Sequence, residues 1–497
     1  MVRVQVVPLG LASAAEDVGK IGAALQEANA VAASRTGSIL PAGADEVSAA
    51  VTPLFINQSR IYRELLAEGQ LFEQRFVQLL TAAAASYTET EQAALQALRD
   101  AIGELEAPLA PFAALAENPA PTSIPPLNVP QNSSVALIVG GTTFPLPDGK
   151  YVGSIMTNFL DNPALSTLTG ALGQSLYTPE QFWPFTPQLG NLTLGQSVSQ
   201  GVQLLNTAIN TELSAGNNVV VYGTSQSSLL ATVEIRNLMA MGSPHTGELS
   251  FFLTGNPNTP DGGFFERFPG LYIPLVDVLF NGATPPNSPY PTVIFSNQYD
   301  MVTNWPKYVL NPVSDLNAFM GFALFHGTHD YVDLTPGQIA NAIELPTSPG
   351  YTGETRYYEL LTQNLPLVAP LRLNLPAPYG NALADLLQPD LRVIVDMGYG
   401  SGEYADIPTP ASLFELPNPF TIVPDLLNGA VQGPQAALVD LGILPQSMMP
   451  TGYPFNPVLD PGLNFPLPQS SVTGVSLLTG FEGQLMRALG LVPSWDS

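Results

Sequence analysis

With 497 residues, 45 % of them hydrophobic and only 11 % charged, the chain is long enough for two or three domains and too apolar for global disorder. A formal charge of −26, from 15 Lys and Arg against 41 Asp and Glu, excludes a nucleic-acid surface, which needs clustered cations to displace counterions. The absence of cysteine excludes disulfides, thiolate metal sites and cysteine nucleophiles.

Glu16 and Asp17 interrupt the first apolar run before it resembles the core of a secretory leader. No uninterrupted apolar stretch reaches membrane-spanning length, so no transmembrane segment is expected, and any export must use a signal other than a cleaved leader. Leu11, Ala15, Val18, Ile21, Leu25 and Ala28 recur at spacings of three and four, which predicts a helix from about residue 9 to 37. A second follows from about 45 to 80, with Val47, Val51, Leu54, Ile61, Leu65, Phe72, Phe76 and Leu79 on its apolar side and Pro53 bending its start. Gly37, Pro41 and Gly43 make the link short, so the pair reads as an antiparallel hairpin. Two helices cannot enclose each other's apolar stripes. A helical partner protein completing a four-helix arrangement would cover the open side, and so would the rest of the chain.

Seven prolines, from Pro108 to Pro130, remove backbone donors and restrict their predecessors, which predicts a semi-extended linker. The resulting division is a helical hairpin at 1–107, a linker at 108–132, a catalytic module at 133–430 and a Pro- and Leu-rich extension at 431–497.

The catalytic module opens on a buried-strand pattern, Val135 to Val139, that ends in Gly140-Gly141-Thr142-Thr143. A glycine pair there lets backbone amides approach a ligand. A second such strand, Val219 to Tyr222, runs into Gly223-Thr224-Ser225-Gln226-Ser227 and then a helix-forming stretch to about Met239. Strand, sharp turn and helix form the context of a nucleophile elbow, with Ser227 where the final glycine usually stands. The turn projects Ser225 and puts the Gln226 amide at a helix N-terminus, where negative charge on a carbonyl oxygen is stabilised. A serine hydroxyl needs a base, and the base an acid to orient it. The chain has only His245, His326 and His329. In the order serine, acid, histidine, His326 and His329 fit, whereas His245 lies too soon after Ser225. Thr292 to Ser296 reads as a further inner strand whose end presents Asp300; Asp315 and Asp330 compete for the acid's role. Two nearby histidines do not specify a zinc site, which needs at least a third ligand, and no phosphate-binding or dinucleotide glycine motif occurs, so no cofactor is expected. The leucine-rich stretch from about 360 to 390 suits either a lid over an acyl pocket or part of the core, and Val393 to Val395 suits a late strand.

The alanine-rich hairpin resembles the N-terminal domain of mycobacterial PE proteins. Tyr87 and Glu91 match that family's Tyr-x-x-x-Asp/Glu export signal, although Pro8 is followed by Leu9 and not by glutamate. Further on, Gly140-Gly141-Thr142, Gly223-Thr224-Ser225-Gln226-Ser227, Tyr299-Asp300 and His326-Gly327-Thr328 resemble the motifs of the PE-PPE domain, a serine-hydrolase relative of cutinases. The resemblance implies an α/β hydrolase (cutinase-like) fold behind a PE hairpin, pairing with a PPE-type protein, and type VII secretion with its chaperone to the cell surface. It selects His326 over His329. It also implies acyl transfer in which Ser225 attacks, His326 takes its proton, Asp300 orients the imidazole, and the amides of Gln226 and of Gly141 or Thr142 hold the oxyanion. The family often carries a second aspartate, and that position is Asn304 here. The expected activity is that of an esterase or lipase on acyl esters; a lipid acyltransferase using the same residues and an inactive surface-binding protein are the alternatives.

Overall fold

The computed structural model describes residues 132–490 apart from 164, 166–169, 275 and 328–330, together with Lys20, Ala23, Gly43, Thr52 and Val492. The rest of the helical hairpin, with Tyr87 and Glu91, the proline-rich linker, and His329 and Asp330 lie outside the described residues. The chain divides into two units, Met1–Thr122 and Ser123–Ser497, and the following concerns the second.

Its frame is a seven-stranded sheet. The strands are β1 (Ser134–Val139), β2 (Leu172–Leu176), β3 (Asn218–Thr224), β4 (Leu249–Thr254), β7 (Thr292–Asn297), β8 (Ile343–Glu344) and β9 (Thr355–Leu360), in the order β2-β1-β3-β4-β7-β9-β8. Only β8 runs antiparallel to its neighbour. The strands β5 (Tyr272–Ile273) and β6 (Val278–Leu279) form a separate ribbon. Parallel strands need crossovers, and helices supply them on both faces. Along β1, Val135, Leu137 and Val139 enter one core while Ala136 and Ile138 enter the other, and β3 divides Val219 and Val221 from Val220 and Tyr222 in the same way. Burial on both faces explains why these strands read as unbroken apolar runs.

The first core is closed by helices α2 (Leu194–Ser214) and α3 (Gln226–Ala240), following the short α1 (Gly149–Ile155), which belongs to the opposite face. Val198, Val202, Leu205 and Ile209 form the inward stripe of α2, and Thr193 caps it by accepting from the Gln196 amide. Beyond the sheet lie α4 (Pro312–Phe325), α5 (Tyr379–Asp396), α6 (Pro419–Asp440) and α7 (Gly474–Ala488). The late strand expected at Val393–Val395 is instead the last turn of α5. Its neighbours Ala384, Gln388, Arg392 and Asp396 are buried at a spacing of four, so a short apolar run that period alone could not classify belongs to a helical face. In the 360–390 stretch, Leu365 and Val368 join a buried cluster with Tyr299, Ala384 and Val395, whereas Leu373, Leu383 and Leu386 are exposed. Helix α6 runs through residues 430 and 431 without a break. Among the described residues no helix is long and apolar enough to cross a membrane.

Several carboxyls are buried in this unit. Burial pushes Glu180 up to about 8 against Thr178's hydrogen bond, Glu266 up to about 8 against nearby Arg267, and Glu359 up to about 8 with the charge of Asp261 adding to it. Each holds its proton in the fold at pH values where the unfolded chain has lost it. Their contribution is therefore fully present below about pH 4.5 and is lost as pH rises toward 8. The melting temperature is expected to fall by several degrees from pH 5 to pH 8, and Glu359→Gln to flatten that fall, as thermal unfolding followed by circular dichroism will show.

Candidate active site

In a doubly wound sheet, the crevice lies at the carboxyl ends of the strands where the order reverses. Here that place is between β1 and β3, since β1 pairs with β2 on one side and β3 on the other. The Gly140–Thr143 loop leaves β1 there, and Ser225 follows β3 there.

Ser225 has φ 55° and ψ −116°, a sparsely populated conformation for a residue with a side chain. It forms the hinge between β3 and the first turn of α3, and its N–H donates to the Thr254 carbonyl at 3.0 Å. Ser227 helps hold this turn. Its hydroxyl accepts from the Thr224 amide at 2.7 Å and donates to the Thr224 carbonyl at 3.0 Å. The missing final glycine of the elbow is thus a side chain bonded into the turn.

Asp300 ends the turn after β7 and is fully buried. Its Oδ1 accepts from the Val302 amide at 3.0 Å, and its Oδ2 lies 2.8 Å from His326 Nδ1. His326 caps the C-terminus of α4, and its Nε2 lies 2.8 Å from Ser225 Oγ. Residues 225, 300 and 326, from three separate loops, are therefore in one hydrogen-bonded row. Gly255, at φ 56°, makes room for the imidazole: a Cβ there would lie 3.0 Å from both His326 Cε1 and Tyr331 Cε2. His245 is elsewhere, half-exposed and paired with Glu248 at 2.7 Å. Asp315, on α4, takes no part in the row, and burial raises its carboxyl to about 6. Asn304 faces away from it too, donating to Glu359 Oε1.

The β1 loop closes on the same point. A Cβ on Gly141 would lie 3.3 Å from that of Ser225. The Thr142 hydroxyl donates to Gln226 Oε1 at 2.8 Å, and Gln226 Nε2 donates to Ser197 Oγ at 2.7 Å and to the Gln181 carbonyl at 3.3 Å. The buried Gln226 side chain therefore ties the loop to α2 and α3. The N–H groups of Gly141, Thr142 and Gln226 donate to no backbone carbonyl among the described residues.

Sequence reading missed Tyr331. Its hydroxyl donates to Asp300 Oδ2 at 2.7 Å, the oxygen that faces His326, and accepts from the Asn297 amide at 3.2 Å. Burial, and then the charge of Asp300, push this phenol well above its usual range, so it remains a proton donor. No motif marks it; only its place two residues past His329 near the expected base offered a signal.

A mostly parallel, doubly wound sheet with a strained serine turn at its switch point defines an α/β hydrolase. Across 97 % of its length the chain is 45 % identical to PE family protein PE3 of Mycobacterium tuberculosis, of which it covers 98 %. It belongs to the PE family. The PE family model matches residues 4–94, and the PE-PPE domain model matches 169–400. Esterase PE16 of Mycobacterium tuberculosis is 40 % identical over 87 % of this chain and 76 % of its own. Among solved structures, a cutinase-like protein from Cryptococcus sp. matches 35 % of this chain and 79 % of its own at 16 % identity, with a TM-score of 0.24.

Proposed function

We propose that this protein is a serine esterase or lipase that cleaves acyl esters through an acyl-enzyme. The observation that carries this reading is the row from Ser225 Oγ to His326 Nε2 and from Nδ1 to Asp300 Oδ2, both at 2.8 Å. The similarity to Esterase PE16 supports it. Ser225 Oγ attacks the ester carbonyl while His326 Nε2 takes its proton, and Asp300 keeps Nδ1 protonated and facing it. The amides of Gln226 and of Gly141 or Thr142 receive the oxyanion. Protonated His326 then gives its proton to the leaving alcohol, and the acyl group stays on Ser225. Water, deprotonated by His326, releases the acid; an acceptor alcohol in its place would yield a new ester.

Covalent labelling by a serine-reactive phosphonate, with peptide mapping, tests this reading without the natural substrate. The label is expected on Ser225; labelling of another residue, with Ser225 untouched, would overturn it. Product analysis with and without an added lipid or sugar alcohol separates hydrolysis from acyl transfer.

Tyr331 acts on this chemistry through Asp300. Tyr331→Phe is expected to lower kcat about tenfold with little change in KM, since one hydrogen bond to a charged group is lost. In an Asp300→Asn background the same change should cost almost nothing more, and steady-state kinetics of the four proteins will show whether the two effects are coupled.

Family membership and the Tyr87/Glu91 signal support export by type VII secretion, and the PE family match at 4–94 supports pairing with a PPE-type protein through the hairpin. Retention of the chain in its native host when Tyr87→Ala is introduced is the corresponding expected result.

A further inference from the structure

Among the described residues, two helices of the hydrolase unit carry exposed apolar stripes. In α4, Leu316, Phe319 and Phe322 recur every three residues and are 44–53 % exposed. In α6, Phe420, Val423, Leu427 and Val431 form a second exposed stripe at helical spacing. The opposite side of α6 is seated on α5: a Cβ on Gly433 would lie 2.3 Å from the Leu386 carbonyl oxygen. Helix α4 joins the same layer, with Ser314 Oγ donating to the Val395 carbonyl at 2.6 Å and Asn311 Nδ2 to the Ile394 carbonyl at 3.0 Å.

This layer is continuous with the candidate active site. Helix α4 ends in His326, and the Phe322 ring stacks on the imidazole with centroids 5.5 Å apart and planes at 20°. Its charge narrows what could cover it. Neither α4 nor α6 contains a Lys or Arg, and the single cation of α5, Arg392, is fully buried. Arg372, just before α5, is held by Asp385. The layer therefore offers no cation to a phosphate headgroup, and the chain's charge of −26 repels an anionic surface. An apolar phase without net charge is the fitting occupant.

We propose that the α4–α5–α6 layer docks on the surface of aggregated, uncharged lipid esters. This rests on the esterase reading, and it makes that phase the source of the substrate reaching Ser225.

The full chain carrying Ser225→Ala, which leaves the probe lipid intact, is mixed with trioleoylglycerol droplets coated in phosphatidylcholine and floated through a sucrose gradient. It is expected to float with the droplets and to stay below with phosphatidylglycerol vesicles. Adding Leu427→Glu and Val431→Glu should reduce flotation about tenfold or more, because each change puts a charge on an exposed apolar position that docking would bury in lipid. Phe420→Ser, at the exposed first turn of α6, is the second variant should the charged pair fail to fold. Failure of the full chain to float overturns the proposal, as does flotation with anionic vesicles alone or flotation unaffected by the α6 variants. So does an association of chains through α6 that leaves no lipid binding, since a second copy is then the occupant. Hydrolysis of a dissolved short-chain ester by the unaltered chain is measured separately. Loss of flotation with that activity intact removes only the docking proposal, whereas absence of that activity removes the esterase reading.

Discussion

Ser225→Ala is expected to reduce ester hydrolysis by about 10⁴-fold or more and to abolish phosphonate labelling, while leaving the melting temperature close to that of the unaltered chain. The size follows from the proposed chemistry. Without the hydroxyl no acyl-enzyme forms, and what remains is the stabilisation of an oxyanion by amides that the substitution does not touch. Stability is expected to change little, because the serine stands at φ 55° and ψ −116°, where its conformation costs energy, and among the described residues its hydroxyl hydrogen-bonds His326 alone. The fold around it is held by the Ser227 hydroxyl and the Ser225 amide, which alanine retains. Equal turnover of an ester panel by the two folded proteins would sink the serine mechanism.

Asp300→Asn is expected to cost about 10⁴-fold in kcat, and Asn304→Asp to leave that loss unrepaired. An amide in place of the carboxylate presents an N–H toward Nδ1, which turns the wrong tautomer toward Ser225 and gives no charge to stabilise the imidazolium. Asn304 is four residues on, but its side chain donates to Glu359 instead of reaching His326. An aspartate there would meet a carboxyl that burial already holds up at about 8, so the substitution should lower stability as well. Kinetics of the single and double substitutions, with thermal melts beside them, separate the two effects. Recovery of activity in the double variant would show that the acid can be supplied from position 304.

Much of this arrangement was legible because parallel strands buried on both faces leave an unmistakable apolar trace. Val135–Val139, Val219–Tyr222 and Thr292–Ser296 carry that trace, and each lies within a strand, with the glycine-rich loop, the serine turn and Asp300 at their carboxyl ends. The scarcity of histidine confined the base to His326 and His329. Val393–Val395 misled because three apolar β-branched residues in a row suit either period, and only the buried positions 384, 388, 392 and 396 reveal the helix. Tyr331 was invisible for a different reason. Its role comes from a hydroxyl meeting Asp300 across 31 positions of chain, and no local pattern encodes that encounter. The exposed stripes of α4 and α6 are regular enough to be read as core, since periodicity reports that a face is apolar and is silent on what lies against it.

The Ser227 hydroxyl changes what a search for such enzymes should ask. A pattern that insists on glycine two places after the nucleophile tests for vacancy, yet this chain fills the space and recovers it through a donor and an acceptor on one atom. The requirement at that place is compactness with either nothing or a group that bonds inward. An alanine there would fit the space but lose both bonds to Thr224, and a larger side chain would have no room in the turn.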